Sequence, residues 1–376
     1  MAAIQFTVGS TVALPKAGLE KLLANLQKMG YQVFGPQVDD NAIVYKSLNS
    51  VSDLPRGYIT EQDAGVFRLT YSGHRRYFDA THGAQSWKQF FFPSFAELAR
   101  LSRDEKGRWQ VEETEIDLAP IALFGVSPCD LAAIQVQDRI FLREEWKDPI
   151  YWGRRQSAFI LAVNCLHPCG TCFCASMGTG PKANAGYDLC LTELDDVFLV
   201  DIGSESGRMV MEGVTVLPTS AFWLQAAQKG LEDAILNMGR SVPDQQELPN
   251  LLLNNLEAKR WDDVAGRCMS CTNCTQVCPT CFCWDARDSI SLSGDTARRE
   301  RAWDSCFNPD YNYIVGGNMR PSTRSRYRQW LTHKFASWYP QFGTSGCTGC
   351  GRCITWCPAR IDVTEEIRAI REEVQS

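Results

Sequence analysis

Apolar residues recur at helical spacing at Leu19, Leu22, Leu23, Leu26 and Met29, and Gly30 stands where a helix-ending glycine is expected. Short apolar segments follow. Residues 31–34, 42–45 and 66–71 predict strands, and the continuous runs 120–126, 158–163 and 197–202 predict strands buried on both faces. Residues 219–238 carry small and apolar side chains along one side and predict a helix, after which 241–250 is polar and contains proline. The stretch 362–374 opens with Asp362 and Glu365 at capping-box spacing and predicts a charged closing helix. Strand and helix signals thus alternate over the first 240 residues and thin out afterwards.

Composition narrows the class. With 376 residues, 44% hydrophobic and 22% charged, the chain is large enough for two ordinary cores. A net charge of −6 disfavours a protein built to wrap nucleic acid. No run of apolar residues is long enough to predict a membrane span. Residues 1–16 lack a charged segment followed by an apolar one, so no export signal is expected and a cytoplasmic location is.

Seventeen cysteines stand beside four histidines. An odd number in a long chain without an export signal fits a disulfide framework poorly. Their spacing is more informative. Cys268-x2-Cys271-x2-Cys274-x3-Cys278-Pro279 and Cys347-x2-Cys350-x2-Cys353-x3-Cys357-Pro358 both follow the bacterial ferredoxin run. Three thiolates two residues apart wrap one cubane, and the cysteine before proline leads away to the other cluster. The expected ligand sets are therefore Cys268, Cys271, Cys274 and Cys357 for one [4Fe–4S] cluster, and Cys347, Cys350, Cys353 and Cys278 for a second. Structural zinc, which favours paired C-x2-C knuckles, explains this spacing poorly.

The fold class expected is α+β. A mixed α/β domain spans 1–240, a linker 241–250, and a mainly helical two-cluster ferredoxin-type domain 251–376, with an insertion between its motifs. That insertion is arginine-rich (Arg298, Arg299, Arg301, Arg320, Arg324, Arg326, Arg328, with Lys334) and is read as compensating anionic clusters or a docking partner rather than binding nucleic acid. Cys281, Cys283 and Cys306 within it are read as buried, unligated thiols.

In the N-terminal region, Cys129 and Cys165 each follow a predicted strand, and Cys172 and Cys174 sit in a glycine-rich loop. If the two strand ends share a sheet edge, these four thiols form a third [4Fe–4S] site, preferred over zinc, with Asp130 or Cys169 as alternative ligands. Asp130 also reads as a helix cap near Leu131, and Cys190 as a core residue. His74, His82, His167 and His333 show no ligand spacing. Nucleotide-binding and hydrolase motifs are missing, so no catalytic residue is assigned.

Several segments resemble one iron–sulfur family. They are Phe124-Gly-Val-Ser-Pro-Cys-Asp-Leu, Cys172-Phe-Cys-Ala-Ser-Met-Gly-Thr-Gly-Pro, Leu191-Thr-Glu-Leu, Cys278-Pro-Thr-Cys-Phe-Cys, Trp303-Asp-Ser-Cys and the closing ferredoxin motif. The chain is similar to the β subunits of cytoplasmic NAD(P)-linked [NiFe] hydrogenases (sulfhydrogenases), a family that includes the iron–sulfur electron-transfer component of anaerobic sulfite reductase. The resemblance implies a non-catalytic electron-transfer role. Its partners would be the small and large [NiFe] hydrogenase subunits and an FAD/NAD(P)-binding iron–sulfur subunit. In the sulfite reductase branch, a sirohaem protein would replace the hydrogenase pair.

Overall fold

The structure, a computed structural model, describes residues 6–112 and 118–375. Residues 1–5, part of the segment read for an export signal, lie outside the described residues.

Seven strands build the main sheet: β1 (Thr11–Pro15), β2 (Gln32–Asp39), β3 (Ala42–Ser47), β4 (Ile121–Val126), β5 (Ala158–Val163), β6 (Leu189–Glu193) and β7 (Val197–Ile202). Their spatial order is β1-β7-β6-β5-β4-β2-β3. The central β6, β5, β4 and β2 are mutually parallel, whereas β3 pairs antiparallel with β2, and β7 with both β6 and β1. The apolar runs 120–126 and 158–163 are the central parallel strands β4 and β5, which such an arrangement covers on both faces, whereas the run 197–202 is the buried antiparallel β7. On one face, helix α1 (Leu19–Lys28) buries the four leucines of its helical stripe against Val33, Phe124 and Leu161. Each such leucine contributes about 1.5–3 kcal/mol. On the other face, helix α2 (Pro128–Phe141) packs Leu131, Ile134 and Phe141 with Leu123 and Ile160.

Helix α2 begins at Pro128 with Ser127 as its N-cap, earlier than Leu131. Asp130 is therefore inside the first turn and does not cap it. Helix α3 (Ala221–Leu236) lies within the predicted 219–238 and is capped by Ser220, whose side chain accepts from the Trp223 amide. Helix α4 (Thr323–Thr332) and the closing helix α5 (Val363–Gln375) pack around Trp261, Tyr327, Trp330 and Ile367. Asp362 caps α5 by accepting from the amide and hydroxyl of Thr364.

Residues 241–250 do not separate two bodies. A four-stranded sheet runs Trp284–Ile290, Thr296–Trp303, Phe95–Arg103, Trp109–Glu112, so the C-terminal insertion completes a sheet with an N-terminal hairpin. Arg240, immediately before that segment, donates to Asp362 at 2.6 Å, to Asp63 at 2.6 Å and to the Gly170 carbonyl at 2.9 Å.

The basic insertion is largely met by carboxylates within the chain. Arg299 pairs with Asp288 at 2.7 Å, Arg328 with Glu257 at 2.9 Å, Arg324 with Glu257 and Asp262 at 2.9 and 3.0 Å, and Arg301 with Asp148.

Candidate metal centres

The two ferredoxin-type loops fold so that their fourth cysteines cross. Cys268, Cys271 and Cys274 line a first cavity together with Cys357, walled by Phe307, Tyr327 and Trp330. Cys347, Cys350 and Cys353 line a second together with Cys278, walled by Phe173, Trp330 and Phe335. Cys353 and Trp330 border both cavities.

Each loop turns on two left-handed residues at matching positions: Ser270 and Thr272 (φ 51° and 70°), and Gly349 and Gly351 (φ 64° and 77°). These turns aim backbone amides at sulfur. Ser270 N–H donates to Cys268 Sγ at 3.5 Å, and its counterpart Gly349 N–H donates to Cys347 Sγ at 3.4 Å. Ile361 N–H donates to Cys357 Sγ at 3.3 Å. Amides directed at sulfur suit thiolates that carry cluster charge.

Burial pushes the Cys347 thiol up to about 12, and the Cys274 and Cys353 thiols well above the ordinary value. As free thiols these groups are neutral, so metal binding must release their protons. At Cys278 the hydrogen bond from Cys281 and the Lys334 ammonium, 3.2 Å from Sγ, hold the thiol well below its usual value against burial.

A third cavity lies outside the carboxyl ends of parallel β4 and β5, the edge where open α/β sheets present ligand sites. Cys129, Cys165, Cys172 and Cys174 all line it, with Tyr45, His82 and Asn164. The strand pairing explains how. Ala162 is in register with Val126, so the segments leaving both strands start side by side. Gly125, at φ +97°, forms the irregularity that redirects the chain toward Cys129. Burial raises the Cys165 thiol to about 12.

Neither alternative ligand lines this third cavity. Asp130 instead forms a bidentate ion pair with Arg352, both bonds 2.8 Å, with the side chains 1% and 0% exposed. Arg352 lies between Cys350 and Cys353, so the pair joins the second loop to the residue beside Cys129. Cys169 Sγ stands 2.9 Å from Cys172 Sγ. Cys190 is a fully buried residue of β6.

Thiols of different cavities also meet. Cys129, Cys174 and Cys350 pack together, which sets the third cavity against the second. Phe173, between two cysteines of the third, walls the second. In all three places the thiols line a shared cavity, as the ligands of a polynuclear cluster would.

Two polar residues at these centres carry no sequence signal of their role. His82 is buried, and its Nε2–H donates to the Cys350 carbonyl at 2.7 Å. Burial, then the Arg352 charge, lowers it to about 4, so the ring is neutral. Arg352 is legible only as a residue between two cysteines of the second ferredoxin-type motif. His167 and His74 lie elsewhere, against Asp79 at 2.9 and 3.2 Å.

Residues 267–361 match the family described as 4Fe-4S dicluster domain. The chain is 30% identical over 351 residues to Sulfhydrogenase 2 subunit beta of Pyrococcus furiosus, covering 92% of this chain and 94% of that protein. No solved structure matches the chain. Among the described residues, no helix is long and apolar enough to cross a membrane.

Proposed function

The chain belongs to the iron–sulfur β-subunit family of sulfhydrogenases, and from that premise we propose that it relays electrons within a cytoplasmic hydrogenase complex through three [4Fe–4S] clusters. The first is held by Cys268, Cys271, Cys274 and Cys357, and the second by Cys347, Cys350, Cys353 and Cys278. The third is held by Cys129, Cys165, Cys172 and Cys174. Electrons pass between a partner that binds FAD and NAD(P)H and the small subunit of the [NiFe] hydrogenase. The observation that carries the reading is the crossing of the fourth cysteines: Cys357 lines the first cavity and Cys278 the second.

When bound, such clusters supply reversible one-electron storage. The chain's own residues hold and tune that store. Thiolates would ligate, the Ser270, Gly349 and Ile361 amides donate to sulfur, and aromatic side chains form part of the cavity walls. Arg352 and Lys334 place buried positive charge beside Cys350 and Cys278. No residue is assigned to bond-making chemistry. Substrate specificity then rests with the partners.

The test uses the assembled complex, purified anaerobically from cells expressing this chain with its native neighbours. Cys274→Ser is expected to abolish hydrogen production driven by NAD(P)H while leaving hydrogen-dependent reduction of an artificial dye intact. Unchanged NAD(P)H-driven turnover, or a sirohaem partner in the purified complex, overturns the reading.

A further inference from the structure

The motif around the third cavity occurs twice. Cys169-Gly-Thr171-Cys172-Phe173-Cys174 is echoed by Cys278-Pro-Thr280-Cys281-Phe282-Cys283. The echo is also structural. Cys169 Sγ is 3.3 Å from Thr171 Oγ1, and Cys278 Sγ is 3.1 Å from Thr280 Oγ1. In each copy the first cysteine is a hydrogen-bond partner of the second. Both copies bond to the backbone at the start of the second ferredoxin loop. Phe173 N–H donates to the Gly349 carbonyl at 2.8 Å, and Thr280 Oγ1 donates to the Gly346 carbonyl at 2.6 Å.

Cys172 and Cys174 of the first copy face the third cavity. Cys281 and Cys283 of the second face a cavity of their own, lined also by Cys306, Tyr311, His333 and Lys334. The third thiol arrives through the insertion. Strands Trp284–Ile290 and Thr296–Trp303 pair with Trp284 opposite Trp303, so the hairpin closes with Cys283 beside the segment leading to Cys306. Asp304 N–H donates to the Cys283 carbonyl at 2.9 Å and fixes that closure. Cys283 is a hydrogen-bond partner of both Cys306 and Tyr311.

We propose that Cys281, Cys283 and Cys306 bind a fourth iron–sulfur cluster, with its remaining coordination position toward Tyr311 and His333. This rests on the reading of the neighbouring cavities as cluster sites and adds one to them. Their shared features support it. Cys281, Cys283 and Cys306 line one cavity, as the cysteines of the other three centres do. A buried cation accompanies the site: Lys334 donates to Cys278 Sγ at 3.2 Å and to Thr280 Oγ1 at 3.0 Å, on the wall common to the second and fourth cavities. Burying an ammonium favours anionic neighbours, and clusters on two sides of Lys334 supply them. Lys88 extends the cationic surroundings, donating to the Cys281 carbonyl at 3.3 Å.

The test compares iron per chain in full-length protein isolated anaerobically with its partners. The wild type is expected to hold about sixteen irons, and the combined C281S/C283S/C306S variant about four fewer. The signals of the other clusters should persist in the variant's electron paramagnetic resonance spectrum. Alkylation of native wild type by iodoacetamide, mapped by mass spectrometry, gives a readout that does not depend on the variant folding. Protection of all three cysteines until iron is chelated supports the site. Equal iron in variant and wild type overturns the proposal, as does one zinc in place of the four irons, or ready alkylation in the iron-loaded protein. Loss of iron from C268S/C271S or C347S/C350S variants is read separately, so the two-cluster reading stands or falls on its own measurement.

Discussion

The two ferredoxin-type loops share a backbone and differ in nearly everything around it. The first uses Ser270 and Thr272 at its left-handed positions, and its Cys271 is exposed. The second uses Gly349 and Gly351 at the same places and is buried, because it sits between the two Cys-x-Thr-Cys-Phe-Cys segments. A Cβ on Gly349 would lie 2.6 Å from the Cys174 backbone nitrogen, and one on Gly351 2.5 Å from the Thr171 carbonyl oxygen. The left-handed turns therefore answer to the thiolate arrangement, since serine and threonine also make them. The glycines answer to packing. The residue before the third cysteine differs in the same sense: Asn273 bonds the Trp356 carbonyl near the surface, whereas Arg352 is buried against Asp130.

The comparison is open to direct attack by exchanging residues between the loops. Arg352→Asn, which makes the second loop resemble the first, leaves Asp130 buried without its cation. It is expected to cost about 3–5 kcal/mol, read by chemical denaturation under anaerobic conditions. The reciprocal Asn273→Arg should stay within about 0.5 kcal/mol, since its side chain is near solvent. A similar cost for both would show that burial is not what separates the loops. Gly349→Ser forces apart two backbone segments and should destabilise by about 1–3 kcal/mol, with loss of iron from the second centre. Ser270→Gly should change stability by less than about 1 kcal/mol and leave iron content unchanged, because relief of left-handed strain and added unfolded-state freedom oppose each other. Chelation sharpens the same contrast in time. An iron chelator should strip the first centre before the second, and a spectroscopic time course in which the second fades first would reverse the assignment of exposure.

Much of the candidate site was legible because ligand spacing is local. Each ferredoxin run places three thiols within seven residues, and Cys129 and Cys165 announce themselves by following buried strands. What escaped was non-local. Asp130 read as a cap because its true partner, Arg352, lies 222 residues away. The strand Phe95–Arg103 has no β-branched residue and no strict apolar–polar alternation, and it gains its place by pairing with Thr296–Trp303, so its own pattern does not announce it. For the same reason the polar stretch 241–250 read as a linker, while the contacts that tie its two sides together come from Asp63, Asp362 and a sheet assembled from both ends of the chain. The buried His82 is silent in sequence, since its acceptor is a carbonyl and leaves no residue-type signature.

The crossing of Cys278 and Cys357 also constrains how the protein is made. On the proposed ligand sets, the first centre lacks its last thiolate until residue 357 has been synthesised, and the second until residue 353. The earlier motif, although translated some eighty residues sooner, waits for the later one. Four of the eight cysteines of the pair must then remain reduced and unengaged on a growing chain, beside Cys129, Cys165, Cys172 and Cys174, whose own set closes by residue 174. Delivery of iron and sulfide to the pair is thereby deferred to a nearly finished polypeptide, and a ribosome stalled between the two motifs would release a fragment unable to complete either ferredoxin-type centre.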